Sequence, residues 1–154
     1  MRIFILLFLL ISFQSLSAIN RDRFYRVFET KSIDKINEEI KALDKEAPSA
    51  LKDAFLGAMI MKKAQFLKTP KEKINIFKKG KTLLESAIKK QPNNTEFRFL
   101  RLAIQENCPK VLKYNTNISD DAQLIQTNYV AINIIAKKHI KKYALHSKAL
   151  NLQP

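Results

Sequence analysis

Two glycines in a chain of 154 residues leave it few places to reverse direction sharply, and five prolines punctuate long stretches that have neither residue. Tight hairpins draw on glycine at positions of positive φ, so this scarcity works against a sandwich or barrel. Between the prolines, apolar residues recur at spacings of three and four, which places them on one face of a helix. The sequence predicts an all-α chain of about six helices in stacked antiparallel hairpins.

Start and stop signals locate the helices. Ile19 to Thr30 and Ser32 to Glu46 read as two short ones, the second with Ile33, Ile36, Ile40 and Leu43 in phase and Ser32 as N-cap. Beyond Pro48, Ser49 to Leu67 carries Leu51, Ala54, Phe55, Ala58 and Met61 on one side and Leu56, Ile60 and Leu67 on another, so it needs burial on two sides. Ala54, Gly57, Ala58 and Ala64 are small enough for neighbouring helix axes to approach closely. Thr69, Pro70 and Glu72 form a capping box with proline at the first helical position, opening a helix to about Lys90. On it Ile76, Phe77, Gly80, Leu83, Leu84, Ala87 and Ile88 share one arc, and Lys71, Lys78, Lys79, Lys89 and Lys90 the opposite one.

Pro92 closes that helix, and Asn93 or Asn94 caps the next, with Glu96 placed to complete a box with Asn93. It runs to about Asn107, where Pro109 enforces a break, and Val111 to Tyr114 reads as a single turn. Ser119 is expected to cap a last helical region that carries Asp120 and Asp121 where the helix dipole favours acids. That region is expected to break near Thr127 and fray by Leu150. Ile40, Leu43, Pro48, Phe55 and Ala58 recur forty-four residues on as Leu84, Ala87, Pro92, Phe99 and Leu102, a helix, proline turn, helix repeat.

Residues 1–18 read differently. Arg2 is followed by nine unbroken apolar residues, Ile3 to Ile11, and then by the small and polar stretch Ser12 to Ala18. Nine is too few for a bilayer, which needs roughly 20. A positive start, short apolar centre and small-residue exit describe a secretory signal peptide, cleaved after Ser17 or Ala18. The expected division is a signal peptide at 1–18 and one helical domain at 19–154, exported to a periplasm or the extracellular space. The single cysteine, Cys108, has no internal partner, so packing must hold the fold, and its apolar setting beside Pro109 reads as a buried thiol.

The formal charge of +14 is unevenly spread. Ile19 to Ile60 balances eight basic against eight acidic residues, whereas Met61 to Lys90 holds ten lysines against Glu72 and Glu85 alone. Lys71, Lys78, Lys79, Lys89 and Lys90 are therefore a candidate surface for an anionic lipid or polysaccharide, each lysine contributing ~1 kcal/mol at a charged membrane. Export argues against nucleic acid. Phe66 and Phe77 follow the apolar arcs, so they belong to the core and not to a base-stacking surface.

The stretch Ala87 to Asn94 resembles the end of a tetratricopeptide repeat, with Gly80 and Leu84 at its small and large positions. The tryptophan, glycine and tyrosine of the first half of that unit are not met. From Ser49 to Asp121 the chain also resembles a family of small exported bacterial proteins of unassigned function. The resemblance is carried by the Lys78 to Glu85 helix, Pro92-Asn-Asn-Thr-Glu96-Phe-Arg98-Phe-Leu-Arg101, Gln105, Asn107, Pro109, Tyr114, Asn117-Ile118 and Asp121. It implies a tetratricopeptide-like helical fold and export, and no activity. The family usually has a glycine in the loop before Tyr114. Lys113 stands there in this chain, which puts the turn geometry in question.

Arg98, Arg101 and Gln105 form one polar stripe, and Tyr114, Asn117 and Asp121, with Asn107 nearby, are placed to complete a small ligand pocket against it. The competing reading pairs both arginines with internal acids, Glu96, Asp120 or Asp121, and makes Asn117 and Asp121 turn and cap residues. His139 and His146 are seven apart, ~10 Å along a continuous helix, too far for one metal. No metal, cofactor or catalytic motif is expected. Because helical-hairpin stacks offer concave surfaces and little buried chemistry, the expected role is a non-catalytic helical scaffold that binds a protein or peptide on one face, with attachment to an anionic surface through the lysine helix as the alternative.

Overall fold

The computed structural model describes residues 19–152. The expected leader, 1–18, lies outside the described residues. Among the described residues every regular element is helical: α1 (Arg21–Glu29), α2 (Ile33–Asp44), α3 (Ala50–Lys63), α4 (Pro70–Lys90), α5 (Thr95–Asn107), α6 (Ile118–Asn128) and α7 (Ile134–Ala144). The fold is all-α. The count is seven α-helices where about six were expected, because the last helical region is two: the 3₁₀ turn Tyr129–Ala131 separates α6 from α7, and Asn133 caps α7 by accepting from the amides of Ile135 and Ala136.

Asn94, one of the two residues expected to cap α5, does so, accepting from the amides of Glu96 and Phe97. The box with Asn93 and the cap at Ser119 differ from expectation. No box forms with Asn93, because the Glu96 carboxylate is drawn away to Arg21 at 3.1 Å and to the Tyr25 hydroxyl at 3.0 Å. Ser119 lies inside α6, whose N-cap is Asn117. The box at Thr69 forms as read: the Glu72 amide donates to Thr69 Oγ1 and the Thr69 amide to the Glu72 carboxylate.

Helix α3 sits at the centre, packed against α1, α2, α4 and α5. Six consecutive residues, Ala54 to Met59, are buried, which is why its apolar face is too wide for a surface helix. Burying side chains the size of Phe55 and Met59 contributes about 1.5–3 kcal/mol each. Its tightest partner is α4, which runs antiparallel to it: Asp53 early in α3 pairs with Lys90 at the end of α4, 2.9 Å away. Where the two cross, Gly57 and Gly80 face each other, and a Cβ on Gly80 would stand 2.5 Å from the Gly57 carbonyl oxygen. Only glycine fits on either side.

The forty-four-residue repeat matches two structural units, α2–α3 and α4–α5, each a helix pair joined by an exposed proline turn at Pro48 or Pro92. Leu43, Phe55 and Ala58 in the first, and Leu84, Ala87, Phe99 and Leu102 in the second, are all core residues. Lys113 adopts φ 47° and ψ 41°, the only positive φ among the described non-glycine residues. The turn before Tyr114 thus has a left-handed backbone, which a glycine reaches without steric cost and a lysine does not.

Candidate functional site

The polar stripe on α5 closes on itself. Arg101 grips Asp121 of α6 through two bonds, Nε to Oδ2 at 2.7 Å and Nη2 to Oδ1 at 2.8 Å. Arg98 adds a third, Nη1 to Oδ1 at 2.8 Å, and donates its Nε to the Pro92 carbonyl. Asp121 is 0 % exposed, and two guanidiniums surround its carboxyl group in place of water. Arg101 Nη1 reaches Glu85 on α4 at 2.9 Å, and the Tyr114 hydroxyl donates to the same carboxylate at 2.5 Å. Burial opposes the charge on Arg101, but the hydrogen bonds and charge of Asp121 outweigh it and hold the guanidinium more firmly protonated than usual. Burial, then the Glu85 bond, drives the Tyr114 phenol far above its ordinary range.

Gln105 and Asn117 form a separate reciprocal pair between α5 and the start of α6, Gln105 Nε2 to Asn117 Oδ1 and the Asn117 amide to Gln105 Oε1, both 3.2 Å. Six of the seven residues expected to form a ligand pocket therefore spend polar groups on internal partners, in two clusters that tie α5 to α4 and α6. Glu85 is the member that sequence reasoning missed. Glu96 and Asp120 are not partners of the arginines: Glu96 binds Arg21, and Asp120 is exposed.

Asn107 lies elsewhere, on the wall of a groove of about 780 Å³. The C-terminal ends of α1, α3, α5 and α7 converge on this groove with the start of α4 and the 3₁₀ turn Lys110–Leu112. Its floor is apolar, built from Phe28, Met61, Phe77, Ile104 and Leu112, with Val111 82 % exposed at the edge. Its basic side chains are Lys62, Lys73, Lys142 and His146, against one carboxylate, Glu29. Glu29 is already engaged by Lys142 Nζ at 2.5 Å and His139 Nδ1 at 2.6 Å. Burial raises the Glu29 pKa, but those two hydrogen bonds and charges win, and it falls below its ordinary value. Burial lowers the pKa of Lys62, whose ammonium lies over the Phe28 ring at 5.7 Å. A site of this size falls within the ~300–1,000 Å³ of ordinary ligand pockets.

The groove leaves no pattern in the sequence, because its walls come from five helices. The one local signal was a cluster of basic residues at helix C-termini, Lys62 and Lys63 on α3 and Lys141 and Lys142 on α7, where the dipole favours them anyway. Cys108 also lines the groove, half-buried and not sealed in the core, with its thiol against the Tyr114 carbonyl at 3.2 Å. Of the histidines, His139 is buried and stacked on Tyr25 at 4.8 Å, and His146 lies exposed beyond the end of α7. Lys71, Lys78, Lys79, Lys89 and Lys90 are all exposed on α4, and Lys90 pairs with Asp53.

Among the described residues no group of three His, Cys, Asp or Glu side chains could hold a metal ion, and no helix is long and apolar enough to cross a membrane. Compared with protein-family models, curated proteins and solved structures, the chain matches none.

Proposed function

We propose that this protein is an exported, non-catalytic helical binding module that holds a peptide segment of a partner in the groove between α1, α3, α4, α5 and α7. The apolar floor next to exposed Val111 and Ile74 is the observation that carries this reading, since such a surface is costly to leave in water without a partner. The closed network around Asp121 supports it from the other side: the side chains best suited to chemistry are spent on holding helices together. The paired units α2–α3 and α4–α5 support a tetratricopeptide-like stacking, an architecture that binds on its concave face.

The test is amide-shift mapping of the chain 19–154 with a pool of short leucine-containing peptides. Shifts at Ile74, Asn107 and Val111 support the reading, and shifts confined to α2, or none, refute it. Sequencing the N-terminus of the secreted protein checks the expected cleavage after Ser17 or Ala18.

The exposed row Lys71, Lys78, Lys79 and Lys89 supports a second reading, attachment to an anionic surface. Co-sedimentation with anionic vesicles that vanishes at high ionic strength favours it, because exposed charges are screened within ~10 Å at moderate salt.

A further inference from the structure

The groove's charge and polar lining specify what it holds. None of the ion pairs among the described residues uses Lys62 or Lys73, so neither of these lining lysines is held by a carboxylate in direct contact. Lys62 is half-buried, and the charged groups facing it are Glu29, held by Lys142 and His139, and the like-charged Lys31. A half-buried cation is poorly hydrated and gains most from an anion that arrives with its own apolar body. Two carboxamides also line the groove. Asn107 commits its Nδ2 to the Ala103 carbonyl and the Tyr143 hydroxyl, which leaves its Oδ1 to accept, and Gln65, also in the lining, is exposed. A plain alkyl chain has no use for carboxamides, whereas a peptide backbone offers them both donors and acceptors.

Resting on the groove-binding reading above, we propose that the occupant is a short extended peptide that lays apolar side chains on the Phe77 and Ile104 floor beside Val111 and sets an acidic side chain against Lys62. Alternation suits this, because successive side chains of an extended segment point to opposite sides. The apolar set faces the floor and the acidic set faces the rim.

Isothermal titration of the chain 19–154 tests it with three unlabelled peptides: one alternating leucine and aspartate, one alternating leucine and lysine, and one alternating serine and aspartate. The leucine–aspartate peptide is expected to bind at least about tenfold more tightly than either other, a difference of ~1.4 kcal/mol. Lys62→Gln should remove most of its advantage over the lysine peptide, Lys73→Gln should reduce it about threefold if Lys62→Gln fails to fold, and Lys41→Gln on exposed α2 should change nothing. Equal binding of the two leucine peptides overturns the acidic specificity and leaves the groove reading standing. Failure of both leucine peptides overturns the groove reading too. Serine–aspartate binding as tightly as leucine–aspartate reduces the interaction to general electrostatics and overturns the proposal. Laurate that binds and cannot be displaced by the leucine–aspartate peptide identifies an amphiphile site and also overturns it.

Discussion

Replacing Gly80 by alanine sets two physical effects against each other with opposite signs. Intrinsic helix propensity favours alanine over glycine by about 1 kcal/mol in a helix interior, so a free-standing α4 would gain. In the folded protein the new Cβ would stand 2.5 Å from the Gly57 carbonyl oxygen, 2.7 Å from Met61 Cγ and 2.8 Å from the Met61 amide nitrogen. Met61 can swing its side chain aside, but the two backbone atoms cannot yield without moving α3. Overpacking of this kind costs about 1–3 kcal/mol, and the upper part of that range applies where backbone meets backbone. The net expectation is a loss of about 1–2 kcal/mol after the propensity gain is subtracted. In urea, with a slope of about 1–3 kcal/mol per molar, the unfolding midpoint should fall by about 1 M. Far-UV circular dichroism follows the transition. Gly57→Ala, whose Cβ would meet the Gly80 carbonyl oxygen at 2.6 Å, should behave alike. If either variant is as stable as the parent or more so, the close crossing of α3 and α4 is not what holds these glycines in place.

Asp121→Asn keeps the shape but leaves Arg98 and Arg101 facing a neutral group, so it should cost about 3–5 kcal/mol by chemical denaturation. A loss under about 1 kcal/mol, typical of a surface pair, would refute the buried network. Lys113→Gly relieves a left-handed lysine but loosens the unfolded chain, so it should be neutral to stabilising by up to about 1 kcal/mol in the same assay. A clear destabilisation would count against the left-handed turn. The folded pKa of Glu29 lies below its ordinary 4.5, so its contribution to stability is present above that value and is lost as the pH falls through the folded pKa. Glu96 acts in the reverse sense: burial raises its folded pKa despite Arg21, so protonation on acidification favours the folded state there. Comparing the acid limb of the thermal midpoint in the parent and in Glu29→Gln isolates the first effect, and superimposable limbs would remove Glu29 from the account.

Local rules were enough for most of the helix starts. Ser32, Ser49 and Thr69 cap α2, α3 and α4, and proline at the first position of α4 leaves no amide to satisfy. They failed where a side chain had a distant alternative. Glu96 left its cap for Arg21 and Tyr25, more than seventy residues away in sequence. The acid that joins Arg101 to α4 could not be chosen from spacing either, because Glu85 and Asp121 become neighbours only when α4 and α6 pack around α5. The groove was invisible for the same reason: Phe28, Lys62, Phe77, Ile104 and Tyr143 each look like ordinary core or surface residues on their own helices.

Helicity, the proline turns and the exposure of Lys71, Lys78, Lys79, Lys89 and Lys90 were legible in the order of residues alone, because periodicity, caps and charge are properties of a few neighbouring residues. Packing in three dimensions was needed to bring Gly57 against Gly80, to share Asp121 between two arginines, and to leave an apolar groove among five helix ends with Lys62 and Lys73 in its lining. Those are distances between segments far apart in the chain, and they are fixed by how the buried faces of all seven helices fit together at once.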